Sequence, residues 1–135
     1  MHVAALTAFH VRLPLRRVVR HASHARNASD NLIIRCQLAD GTTGWGEGVP
    51  RDYVTGESVQ SALALLRESN VPSQIGSFDD FRDAVASAEQ LRLAPVPGDD
   101  RGIRGNAARC AVEIAILDAF ARHFYEPLSS VTRIL

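Results

Sequence analysis

The sequence predicts an α+β fold: a three-stranded antiparallel meander followed by a helical bundle. Three observations carry this. Runs rich in β-branched and apolar residues occupy about 3–13, 31–38 and 43–48. Asp40-Gly41 lies between the second and third runs, and glycine supplies the positive φ that a tight hairpin turn needs. From residue 56 onward the apolar period changes from two to that of a helix, and strands followed by helices read as α+β. At 135 residues the chain is read as one domain, residues 1–135.

The elements follow in order. Between the first two strands lies a segment from Pro14 to Asp30, rich in arginine, histidine and serine, which is expected to be a long loop. Gly44, Gly46 and Gly48 alternate on the third strand, so all three share a face that another backbone or a ligand could approach. Trp45 and Glu47 share the opposite face. The first helix is predicted over about 56–68, with Thr55 as N-cap and Val59, Ala62, Leu63 and Leu66 at helical spacing. A second, over about 78–91, would start at Ser77 with Asp80 three residues on. Residues 94–102 read as a loop by proline and glycine content. Asn106 is expected to cap the longest helix, about 107–125, whose apolar stripe would be Cys110, Ala111, Ile114, Leu117, Ala121 and Phe124. Pro127 can open a last short helix.

Composition excludes several chemistries. All 15 basic residues are arginine, so Schiff-base catalysis, a lysine general base and a P-loop lysine are absent from this chain. The 15 acidic residues cancel them overall, so no global field recruits nucleic acid or an anionic membrane. The charge is uneven, however: no acid precedes Asp30, while Arg12, Arg16, Arg17, Arg20 and Arg26 all do, with His10, His21 and His24 among them. Cys36 and Cys110 stand in apolar contexts and read as a buried reduced pair. The most apolar stretch, Ala111 to Ala121, is interrupted by Glu113 and Asp118 and is no membrane span. The expected compartment is the cytoplasm.

Few residues advertise chemistry on their own. The glycines of the third strand are followed by Val49-Pro50, not by a helix, which argues against a dinucleotide fingerprint. Glu47, alone on a strand, reads as a structural ion-pair residue. His21 and His24, three apart, could ligate a metal from one helical face, but no third ligand follows at suitable spacing, and no metal site is assigned. Glu113 and Asp118 are five apart and do not share a helical face, so each is expected to pair with an arginine or to cap a neighbouring loop. The arginines at 12–26 have almost no aromatic neighbour on which a base could stack, and a guanidinium fork matches a small carboxylate at least as well.

Taken together, "VRLPLRR", the polar segment after it, "SDNLIIRCQLADGTTGWGEG", "VTGES" and "CAVEIAILDAFARHF" resemble the amino-terminal capping domain of the enolase superfamily, in its mandelate racemase and muconate lactonizing enzyme branch. The resemblance runs over nearly the whole chain. It implies a meander packed on helices that caps a carboxy-terminal (β/α)8 barrel, the barrel carrying the catalytic acids, bases and magnesium ligands. The barrel is missing from these residues, so the isolated chain is expected to be inactive, with no catalytic residue and no metal ligand of its own. The parent is expected to be a magnesium-dependent racemase, epimerase or cycloisomerase, of the muconate cycloisomerase or dipeptide epimerase type, that removes the proton α to a carboxylate.

The resemblance also places two substrate-specificity loops, about Leu15 to Ser29 and Val49 to Thr55. The residues it offers for substrate contact are Arg20, His21, His24 and Arg26 in the first and Arg51 and Tyr53 in the second. Trp45 would help bury the sheet against its helices. The expected partners are the chain's own barrel, a small carboxylate substrate and further copies of itself, and neither nucleic acid nor membrane. The alternative is a stand-alone binding or oligomerisation module without catalysis.

Overall fold

The computed structural model describes residues 1–21 and 24–135, except for the side chain of His21. Three antiparallel strands lie in the order β1 (Val3–His21), β2 (His24–Leu38) and β3 (Thr43–Gly48). The helices are α1 (Asp52–Thr55), α2 (Val59–Glu68), α3 (Phe81–Gln90), α4 (Asn106–His123) and α5 (Val131–Ile134), with short 3-10 turns at Val71–Gln74 and Leu128–Ser130. The expected meander followed by helices is what the chain forms.

The core lies between one face of the sheet and α4, closed off by α2 and α3. Leu32, Ile34, Cys36 and Leu38, every second residue of β2, are buried against Ala111, Ala115, Ile116, Ala119 and Phe120 of α4. The glycines of β3 lie directly on the α4 backbone. A Cβ built on Gly44 would stand 2.6 Å from the Ala119 Cα, and one on Gly48 would stand 2.9 Å from the Ala107 carbonyl carbon. Two strand residues advance about 6.8 Å and four helix residues about 6.0 Å, so alternate glycines fall in step with alanines spaced by four. The "other backbone" that these glycines admit is therefore α4.

Several expected boundaries move, each for a local reason. The segment Pro14 to Asp30 is not a loop: β1 and β2 stay paired out to His21↔His24, forming a long hairpin arm. Valines and outward arginines suit two-sided exposure, and Pro14, lacking an N–H, sits where the register shifts before Val19. Thr55 does not cap α2. It ends the separate turn α1, closed by Gly56 at φ 73°, while Ser58 caps α2 in a reciprocal box with Ser61. The next helix starts after Asp80, which accepts the Asp83 N–H at 2.9 Å, and Ser77 instead pairs with His2. Asn106 is already inside α4 and makes no cap; Glu57 does that work from a distance, as described below.

The apolar stripe of α4 is also rotated from expectation. Ala108, Ala111, Val112, Ala115, Ile116, Ala119 and Phe120 are buried, while Cys110 and Ile114 are exposed. Alanines and aliphatic residues surround this helix almost completely, which blurs its period. Hence Cys36 is a buried free thiol and Cys110 an exposed one, not a buried pair. Trp45 points away from the helices, 48% exposed, because the glycines rather than the tryptophan occupy the packed face.

Candidate functional site

The even-numbered residues of β2 run along one face of the sheet. Leu32, Ile34, Cys36 and Leu38 form the core, and Asp30, Ala28, Arg26 and His24 continue the same face beyond the end of the helices. On β1 the partners on this face are His10, opposite Leu32, and Arg12, opposite Asp30. The turn Pro50–Val54 folds back over them. Together these segments line a cleft of about 350 Å³ that includes His10, Arg12, His24, Arg26, Arg51 and Tyr53.

The two expected loops are thus brought into contact. The ring of Tyr53 stacks on His24 at 4.3 Å between centroids. Arg51 ties its own turn to the hairpin arm: Nη1 donates to the Asp30 carbonyl at 2.9 Å and to the Pro50 carbonyl at 2.8 Å, and Nη2 donates to Ser29 Oγ at 2.8 Å. Those three acceptors are neutral. Burial, and then the positive charge of Arg26, push the Arg51 guanidinium below its ordinary pKa. Arg26 is half-buried, and its Nη1 is shielded from solvent without a hydrogen-bond partner among the described residues.

Asp30, Asp52 and Glu57 also line this cleft, and each has partners within the chain. Asp30 accepts from His10 Nε2 at 2.7 Å and stands 4.0 Å from Arg12. Asp52 Oδ1 accepts the Tyr53 N–H at the start of α1. Glu57, only 4% exposed, accepts the N–H groups of Gly105 at 2.8 Å and Ala107 at 3.3 Å, and the Thr55 hydroxyl at 2.6 Å. It is the distant cap of α4, a carboxylate at the positive end of the longest helix. Through Thr55 it also anchors the turn that carries Arg51 and Tyr53.

Four of the six expected contact residues, His24, Arg26, Arg51 and Tyr53, therefore converge. Arg20 does not: it pairs with Ala25 near the tip of the arm, exposed and outside the cleft lining. The backbone of His21 pairs with His24, while its side chain lies outside the described residues. His10, Arg12, Asp30 and Glu57 join them in the cleft lining, Arg12 from the arginine row and Asp30 as its ion-pair partner at 4.0 Å. Extending the period of two below Asn31 would have found Asp30 and its β1 partner Arg12, but nothing local marks Glu57 as the cap of a helix 48 residues away.

Elsewhere, Glu113 and Asp118 each pair with an arginine four residues away, Arg109 and Arg122. Glu47 accepts from the Asn31 amide rather than from a cation. No three or more His, Cys, Asp or Glu side chains gather to hold a metal among the described residues. No helix of the described residues is long and apolar enough to cross a membrane.

Comparison with known proteins agrees with this architecture. The family profile "Mandelate racemase / muconate lactonizing enzyme, N-terminal domain" matches residues 3–131. An aromatic dipeptide epimerase of Herpetosiphon aurantiacus is 30% identical over 129 residues, which are 93% of this chain and 33% of that protein. Among solved structures, the N-succinyl Arg/Lys racemase of Bacillus cereus superposes with a TM-score of 0.74 at 26% identity, over 97% of this chain and 33% of that one. The dipeptide epimerase of Methylococcus capsulatus, solved with Mg and the dipeptide L-Arg-D-Lys, gives 0.70 at 30% identity, over 97% and 34% respectively. The chain thus spans about a third of the length of the curated relatives it matches. With its meander, its glycine-on-helix seam and a profile match from residue 3 to residue 131, it belongs to the mandelate racemase / muconate lactonizing enzyme family, whose N-terminal domain it represents.

Proposed function

We propose that this chain is the capping and substrate-specificity domain of a magnesium-dependent racemase, epimerase or cycloisomerase acting on a carboxylate substrate. The reaction would begin with removal of the proton α to that carboxylate, on groups supplied by a barrel outside this chain. The role of these residues is to bind and orient. The relatives' names support the class: they include an L-Ala-D/L-Glu epimerase, an N-succinyl-L-Arg/Lys racemase and a muconate cycloisomerase. We further propose a cytoplasmic enzyme that assembles as a homo-oligomer.

The observation that carries the specificity reading is the Nη1 of Arg26, without a partner among the described residues, beside Arg51 in one cleft. A shielded donor without an acceptor costs about 1–3 kcal/mol, which an arriving carboxylate returns as a charge-assisted bond. His24 and Tyr53 add a flat stacked wall. Together these favour a substrate with an acidic group besides the reacting one, such as an acidic dipeptide or a diacid.

Arg26→Ala in the complete polypeptide should raise KM for acidic substrates about 10-fold or more, the worth of one charge-assisted bond, and should change KM for neutral ones little. Arg20→Ala should leave that ratio unchanged. Equal effects of Arg26→Ala on both substrate classes would sink the specificity role.

A further inference from the structure

The turn that carries Arg51 and Tyr53 has little of its own to hold it. It winds into α1, a helix of 4 residues, none of them buried, and a helical turn that short is not stable by itself in water. Side-chain hydrogen bonds fix it instead. At its far end Thr55 donates to Glu57. At its near end Arg51 reaches beyond the last β3 pair, Leu32↔Gly48, to the Asp30 carbonyl and to Ser29 Oγ.

The bond to Ser29 continues further. The Ser29 hydroxyl donates in turn to Asn31 Oδ1, and the Asn31 amide donates to Glu47 Oε1. Ser29 and Asn31 are alternate residues of β2 on the face away from the helices, and Glu47, opposite Ile33, stands next to them on that face from β3. The direction of this chain is forced by its ends. A guanidinium can only donate and a carboxylate can only accept, so Ser29 accepts from Arg51 and donates onward, while Asn31 turns its oxygen to Ser29 and its NH2 to Glu47. Asn31 is 6% exposed, so neither half of its amide can turn to water instead. Bonds polarised in one sense from a cation to an anion strengthen one another. Neither Arg51 nor Glu47 belongs to an ion pair among the described residues, and this relay is what connects their charges.

We propose that Glu47 is a positioning residue for the cleft: through Asn31 and Ser29 it fixes Arg51, and with it the turn that brings Tyr53 against His24. The relay itself is independent of any substrate, while its consequence for binding rests on the substrate-specificity reading above. Arg51 serves the cleft as a strut, its N–H groups taken up by Asp30, Pro50 and Ser29, whereas Arg26 Nη1 has no partner among the described residues. The two glutamates flanking the turn then act as its two anchors, Glu47 for its start and Glu57 for its end.

Hydrogen–deuterium exchange on the complete polypeptide made from its native gene tests this, with far-UV circular dichroism to confirm folding. The wild-type amides of Val54, Thr55 and Gly56, bonded to the Arg51 and Asp52 carbonyls, should exchange slowly. Glu47→Ala and Ser29→Ala should each speed them about 10-fold or more; Ser29 is only half-buried, so its variant carries the test if Glu47→Ala fails to fold. Glu47→Gln, which keeps an acceptor for the Asn31 amide, should stay within about 3-fold of wild type. The double variant E47A/R51A should exchange no faster than R51A, because both changes cut one relay. With the acidic dipeptide L-Ala-L-Glu as probe, KM should rise about 5-fold or more in E47A and S29A while kcat stays within about 2-fold. Wild-type exchange at these amides in the folded single variants, or a full additional effect of E47A on top of R51A, would overturn the relay. Faster exchange with an unmoved KM would overturn its role in binding. A wild-type enzyme inert toward L-Ala-L-Glu would count against the acidic-dipeptide reading alone, and the exchange data would still decide whether Glu47 positions the turn.

Discussion

Replacing Gly46 by alanine would put a methyl carbon 2.6 Å from the Ala115 nitrogen and nearer still to the Ala111 carbonyl oxygen. Ordinary contact begins near 3.4 Å, so the Ala115 nitrogen alone requires β3 and α4 to part by about 0.8 Å, and the nearer Ala111 oxygen requires more. The obstacle is helix backbone, which has no rotamer to change. Parting there also loosens the seam at Gly44 and Gly48, whose added carbons would meet the same helix. Overpacking costs about 1–3 kcal/mol where side chains can adjust, so a cost of about 3 kcal/mol is expected here. A domain holds only about 5–15 kcal/mol in total. For a chain of this size that is a fall in Tm of roughly 10 °C, read by far-UV circular dichroism. Gly76→Ala is the control: its nearest neighbour would be Phe78 Cε1 at 3.7 Å, and Tm should move by no more than about 2 °C. A Gly46→Ala protein melting within about 3 °C of wild type would refute the close-packed seam.

Two further outcomes follow from buried groups. Glu57→Gln keeps the shape of the distant cap but removes its charge from the α4 N-terminus; it should cost about 1–2 kcal/mol, seen as a Tm several degrees lower, and an unchanged Tm would argue against Glu57 as the cap. Burial pushes the Cys36 thiol up to about 12, and burial followed by the charge of Glu113 raises Cys110 less steeply. A raised thiol pKa means less reactive thiolate, so at pH 8 a thiol reagent should label exposed Cys110 first and Cys36 only on unfolding. Equal rates at the two sites in folded protein would contradict this.

Much of this molecule is written locally. Alternating apolar residues, Asp40-Gly41 and the change of period after residue 56 suffice for a meander followed by helices, because each is a short-range pattern. The arginine-rich, acid-free start and the glycine face of β3 are equally local. Tertiary structure decided the rest. It carried the first hairpin out to His21↔His24, since a two-sided exposed arm needs no apolar alternation to stay paired. It chose the buried face of α4, whose near-continuous apolar surface leaves the period ambiguous, and it put Trp45 outside because the backbone of α4 takes the space beside the glycines. It also separated Arg26 and Arg51, which face one cleft, from Arg20, which does not. In a row of similar arginines, composition counts charges, while the register of the strands and the fold-back at Pro50 determine which of them meet.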